Sequence, residues 1–200
     1  KLTTDYLDRG IAEAPDKTAI ADFNSTTNKE TRLNYRDFGK IVDRIGIGLA
    51  ELGVGKGDVV SCQLPNWWQF TALHLACVRI GAVTNPLMPI FRERELSFML
   101  GLAESKVLVV PRAFRGCDYP AMVDNIRASL PWLKHVLVIG GDGETGFEKV
   151  LLDTPWEQRR DAGRLFAARR PDPDDVTQLM YTSGTTGEPK GVMHTSNTLL

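Results

Sequence analysis

A chain of 200 residues, 42% hydrophobic and 24% charged, has the size and composition of an ordinary globular domain. It can bury roughly 70% of its unfolded surface without disulfides or metals. A formal net charge of −1 and the lack of any apolar run near the ~20 residues that cross a bilayer argue against nucleic acid and against a membrane span.

In chain order, "KLTTDYLDRG" carries charge and no apolar core, so it is not a signal peptide. It also lacks an initiator Met, which raises the expectation of a piece of something longer. "TTDYLDRGIAEAP" reads as a helix stopped at Pro15, and "TAIADF" as a strand whose hairpin partner is "TRLNY". Asn34 is placed to cap the next helix over Asp37. In that helix Phe38, Ile41, Ile45, Leu49 and Leu52 form one apolar face, and Gly53 ends it. "DVVSCQL" reads as a strand buried on both faces. Asn66 is the expected cap of a second helix, with Gln69 in the reciprocal position. Phe70, Leu73, Cys77 and Ile80 form the inner face of that helix.

"AVTNP" reads as a short strand, "RERELSFMLGLAE" as a helix, "KVLVV" as a strand, "DYPAMVDNIRASL" as a helix and "HVLVIG" as a strand. This alternation predicts an α/β fold, with a mostly parallel sheet and helices on its faces. The stretch 140–175 is polar, with one surface helix expected over Trp156–Ala168. "VTQLMYT" is a last strand running into "YTSGTTGEPKGV", and "KGVMHT" is its expected hairpin partner, with a helix beginning near Ser196.

The segment 181–192 carries the chemistry. Glycine-rich backbone can turn several N–H groups onto one anion. Thr182, Ser183, Thr185 and Thr186 add neutral donors, and Lys190 adds a mobile charge suited to phosphate. The composition therefore fits a loop that wraps polyphosphate. It is not G-x-x-x-x-G-K-[ST], because Pro189 precedes Lys190 and Gly191 follows it. A strand–loop–strand hairpin would hold phosphates by loop amides and side chains, without a helix dipole behind them.

"LMYTSGTTGEPKGV" resembles the phosphate loop of the adenylate-forming superfamily, which comprises acyl-CoA synthetases, luciferases and peptide-synthetase adenylation domains. "RLNYRDF" and the block from "LAELGVGKGDVV" to "ERELSFML" resemble it as well. The likeness holds from about Leu33 to Val110, weakens, and returns at Val176. "NPLMPIFRERELSFML" most resembles synthetases for short- to medium-chain or alicyclic acids.

The resemblance implies an ATP-dependent carboxylic acid–CoA ligase, with residues 1–200 the N-terminal portion of its large AMP-binding domain and the phosphate loop at 181–191. Thr182, Ser183, Gly184, Thr185, Thr186, Gly187 and Lys190 would hold the β- and γ-phosphates, with Lys190 the catalytic cation. The substrates implied are a small carboxylic acid, ATP and coenzyme A. Mg2+ and CoA contacts, and the C-terminal domain, are expected outside these residues, so the piece alone is expected to be inactive. No metal site is expected within it. Cys62, Cys77 and Cys117 are scattered, which fits a cytoplasmic location. Many relatives have His where Ser196 stands, and capping is the expected role of Ser196.

Two rival readings stand beside this one. Gly141, Gly143 and Gly146 form G-x-G-x-x-G after a strand, as in a dinucleotide-binding dehydrogenase. Asp142 and Glu144 would repel a pyrophosphate there, so an exposed acidic turn is the preferred reading. The other rival is a non-catalytic nucleotide-binding homologue. Trp67 and Trp68 are expected to pack one inward and one half-covering the surface. There is no G-x-S-x-G to make Ser183 a hydrolase nucleophile.

Overall fold

In this computed structural model the described residues are 1–182 and 189–200. The chain opens with α1 (Thr3–Glu13), the antiparallel hairpin β1 (Thr18–Asn24) and β2 (Lys29–Asn34), and α2 (Tyr35–Glu51). Asn34 caps α2 as its sequence predicts: its side-chain oxygen accepts from the Asp37 amide at 2.8 Å. The helix buries Phe38, Val42, Ile45 and Leu49 and ends before Gly53, whose φ of +84° a side chain would resist.

A six-stranded sheet follows. Its strands are β3 (Val59–Cys62), β4 (Val83–Pro86), β5 (Val107–Pro111), β8 (His135–Ile139), β9 (Val176–Thr182) and β10 (Lys190–Thr195). Their spatial order is β10-β9-β4-β3-β5-β8. All are parallel except β10, which runs antiparallel to β9. Between them lie α3 (Trp68–Arg79), α4 (Glu93–Leu102), the small hairpin β6 (Ala113–Phe114) and β7 (Cys117–Asp118), and α5 (Tyr119–Arg127). Then come α6 (Ala162–Arg169) and, at the end, α7 (Ser196–Leu199).

The chain winds from β3 out to β4, then back past β3 to β5 and β8. Right-handed crossovers therefore place α3 on one face and α4 and α5 on the other. The core divides accordingly. Val60, Cys62, Val107 and Val109 pack with α2 and α3, while Leu108 and Val110 pack with α4 and α5. Successive side chains of each strand thus point to opposite cores, which is why these strands read as near-continuous apolar runs.

Four local expectations are corrected. Asn66 is exposed and does not cap α3. The capping position falls to Trp67, which makes no side-chain cap. Trp67 is buried and meets Phe114 edge-on at 6.1 Å, so ring packing rather than a polar cap sets the entry to this helix. Gln69 is buried, and its Oε1 has no partner.

The single helix expected over 156–168 is broken. A 3-10 turn covers Trp156–Gln158, and Asp161 then caps a new helix by accepting from the Arg164 amide at 3.0 Å. A π-helical turn over Glu148–Asp153 precedes both, and the Trp156 indole N–H donates to the Val150 carbonyl at 2.8 Å. At the end of the chain Thr195, not Ser196, is the cap: its Oγ1 accepts from the Thr198 amide at 3.3 Å. Ser196 is instead fully buried, with its hydroxyl unpartnered.

Candidate functional site

Because β9 is parallel to β4, β9 ends at Thr182 on the carboxyl edge of the parallel strands, and β10 begins there at Lys190. That is the edge at which open α/β sheets place their ligands. Of the predicted site residues, Ser183, Gly184, Thr185, Thr186 and Gly187 lie outside the described residues. Thr182 and Lys190 are described, and the β9–β10 register sets them directly opposite each other, both exposed. The two ends of the loop are thus joined as a cross-strand pair, and Lys190 stands at its mouth.

The neighbouring loop at this edge, between β4 and α4, is tied down by buried polar groups. Gln63 is fully buried, and its amide Nε2 donates to the carbonyls of Met88 (3.1 Å) and Phe91 (3.0 Å). The Tyr119 hydroxyl donates to the Pro89 carbonyl at 2.8 Å, and Arg92 donates to the same carbonyl at 2.8 Å. Held in this way, the loop leaves Met88 and Ile90 outward, at 57% and 73% exposure. The result is an apolar lip at the carboxyl edge, on the strand next to the loop-bearing one. The Gln63 and Tyr119 tethers are not visible in sequence, because each joins a side chain to a backbone carbonyl of a distant segment.

Burial raises the pKa of the Tyr181 phenol, and the neighbouring Asn85 amide pulls it partly back. The phenol is therefore a donor at neutral pH, and it donates to the Met99 carbonyl at 3.0 Å. Among the described residues no three His, Cys, Asp or Glu side chains converge as a metal site.

The rival glycine motif is not built as a dinucleotide fingerprint. Gly143–Thr145 form a 3-10 turn, and Asp142 and Glu144 are exposed. β8 is the edge strand of the sheet, and the next strand, β9, pairs at the far side of β4. The turns that open on these glycines are 3-10 and π-helical rather than α-helical, and the next strand of the chain is not the neighbour of β8, so the exposed acidic turn is what forms. Trp67 is buried and Trp68 half-buried, as packing predicts. The two tryptophans, with Gln69, Arg112 and the β1–β2 hairpin, line a separate cavity of about 550 Å³ at the ends of β5 and β8.

Comparison with known proteins gives a consistent picture. The profile of a family described as AMP-binding enzyme matches residues 7–200. The medium-chain fatty-acid–CoA ligase of Escherichia coli (strain K12) is 28% identical over 200 residues, covering 98% of this chain and 33% of that protein. The 2-hydroxy-7-methoxy-5-methyl-1-naphthoate–CoA ligase of Streptomyces carzinostaticus is 32% identical over 171 residues, covering 84% of this chain and 31% of that protein. The chain thus spans about a third of the length of the curated relatives it matches.

Among solved structures, the anthranilate CoA ligase AuaEII in complex with anthranoyl-AMP superposes with a TM-score of 0.78 at 26% identity, over 98% of this chain and 34% of that one. MbtA of Mycobacterium smegmatis does so with a TM-score of 0.79 at 28% identity, with the same shares covered.

Proposed function

The chain belongs to the AMP-binding enzyme family, and from that premise we propose that it is the N-terminal portion of the AMP-binding domain of an ATP-dependent carboxylic acid–CoA ligase. The observation that carries this reading is the hairpin at the carboxyl edge of the sheet. It sets Thr182 opposite Lys190 at the two ends of "SGTTGEP".

In the proposed reaction a carboxylate oxygen attacks the α-phosphorus of ATP, and the bond from that phosphorus to the bridging oxygen breaks. This gives an acyl-adenylate and pyrophosphate. A thiolate, that of coenzyme A, then attacks the acyl carbon and AMP leaves. The part of this chain is to hold the β- and γ-phosphates. Ser183–Gly187 would supply amide and hydroxyl donors, Thr182 a hydroxyl at the rim, and Lys190 a charge against the departing pyrophosphate. Such help is positional and electrostatic, and the protein forms no covalent bond. Mg2+, which accompanies ATP in such reactions, would take its ligands from outside these residues, as would the CoA contacts. Three free cysteines, two of them buried, suit the cytoplasmic location we propose.

The reading is tested by ATP–pyrophosphate exchange across a panel of carboxylic acids, using the longest natural form of the chain. Lys190→Ala is run beside the wild type. Exchange should depend on an acid and fall by roughly 10²–10³ in the variant, the scale of losing one preorganised donor. Acid-dependent exchange that is unchanged by Lys190→Ala removes Lys190 from the mechanism. No exchange with any acid from folded protein points to a non-catalytic homologue.

A further inference from the structure

The strand that leads into the phosphate loop, β9, is register-paired with the parallel sheet at one point. Its one register pair with β4 is Thr84 with Gln178, whereas its ladder with β10 continues four residues further, to the pair Thr182–Lys190. Beyond Gln178 the hydrogen-bonded ladder of β9 continues with β10 alone, and a two-stranded pairing is marginally stable by itself. Among the described residues, one side-chain hydrogen bond ties 179–182 to the body of the protein: the Tyr181 hydroxyl donates to the Met99 carbonyl at 3.0 Å.

The acceptor suits this role. Met99 lies in the last turn of α4, at the negative end of the helix dipole. Its oxygen also receives the Ala103 amide at 3.1 Å. The ring of Tyr181 packs against the core cluster built on α4 and α5.

Beside the phenol stands the fully buried Asn85, which is itself fixed. Its Nδ2 donates to Ser61 Oγ at 2.8 Å, and Ser61 Oγ shares a 2.6 Å hydrogen bond with Ser105 Oγ. A chain of buried polar groups thus runs from β3 and the α4–β5 turn to the foot of the loop.

We propose that Tyr181 is a positioning residue: its hydroxyl fixes the end of β9 against α4, and so sets where Thr182 and its cross-strand partner Lys190 stand relative to the triphosphate. This rests on the reading of 183–190 as a phosphate cradle. The ring supplies packing and the hydroxyl supplies register, so Tyr181→Phe separates the two.

The experiment compares wild type and Tyr181→Phe in the longest natural form of the chain, by two measurements. Amide hydrogen exchange across 176–195 reads the stem directly, and ATP–pyrophosphate exchange reads its consequence. Loss of the one bond should speed exchange in this segment by about two- to tenfold, while other segments keep their rates. It should raise the KM for ATP by a similar factor and leave the KM for the acid unchanged. A merely structural loss would instead spread through every peptide and would not separate the two KM values.

Unchanged amide exchange in 176–195, or a change shared by the whole chain, overturns the proposal. So does an unchanged KM for ATP in an active enzyme. If the wild type shows no pyrophosphate exchange at all, the ligase reading fails by itself. The amide-exchange arm then decides whether Tyr181 anchors the stem.

Discussion

His74 lies on α3, where its Nδ1 shares a 3.1 Å hydrogen bond with Thr84 Oγ1 of β4. Burial pulls its pKa from 6.5 down to about 4. A base whose folded pKa is depressed binds fewer protons folded than unfolded between those two values. Its contribution to stability is therefore intact above pH 6.5, declines as pH falls from 6.5 to 4, and levels off below. The decline should be on the order of 2–3 kcal/mol, reduced in so far as water reaches the ring. His74→Asn should flatten the melting-temperature profile between pH 6.5 and 4, and thermal melts at four or five pH values would show it. At this scale the cross-strand placing of Thr182 and Lys190 was legible, because "VTQLMYT" and "KGVMHT" read as hairpin partners. Tyr181, Gln63 and Asn85 were not. Tyr181 bonds a carbonyl 82 residues away, and sequence carries no mark of which carbonyl a phenol will meet.

Three helices are locked by one guanidinium. Arg79 of α3 donates through Nε to Asp43 of α2 at 3.0 Å and through both terminal nitrogens to Asp8 of α1. Its side chain is only 11% exposed. Burial raises the Asp43 pKa, with Arg79 acting against that rise. Removing the arginine therefore strands a carboxylate that burial already disfavours. Arg79→Met should cost about 1–3 kcal/mol, and Arg79→Met with Asp43→Asn should cost less than the single change. Urea denaturation of both variants checks this.

Element types were legible where apolar spacing is long and regular, as in α2 and the parallel strands. Failures came where one residue decides the outcome. Trp67 displaces Asn66 from the start of α3 because a buried ring outweighs a polar cap. Asp161 divides one expected helix in two. The β6–β7 hairpin went unread because its turn is Arg115–Gly116, with φ of +48° and +77°. A left-handed arginine is an uncommon turn residue beside the Asn-Gly or Asp-Gly that signals such hairpins.

Taken whole, the molecule has one edge unlike the rest. In the β9–β10 ladder Met180 pairs with Val192 and Leu179 with Met193, so apolar side chains stand on both faces of the ribbon. Met180, Val192 and Met193 are 44%, 37% and 67% exposed, and β10 is an edge strand with unpaired backbone. An exposed apolar edge is a template for association. The 200-residue chain should therefore sediment faster as its concentration rises, and Met193→Lys should lessen that dependence. The α/β class and the mostly parallel sheet were legible from alternating elements. The winding order and the antiparallel edge were not, because periodicity says nothing about which strands become neighbours.

The connection from β8 to β9 has a further consequence, for the order of folding. It carries the chain from one edge of the parallel sheet across three strands to the other side of β4. The fully buried members of the two large cores all lie between Leu7 and Leu151. A nascent chain thus exposes both cores before the loop-bearing hairpin emerges from the ribosome. The hairpin, with its high sequence separation from β4, then docks on a sheet that already exists.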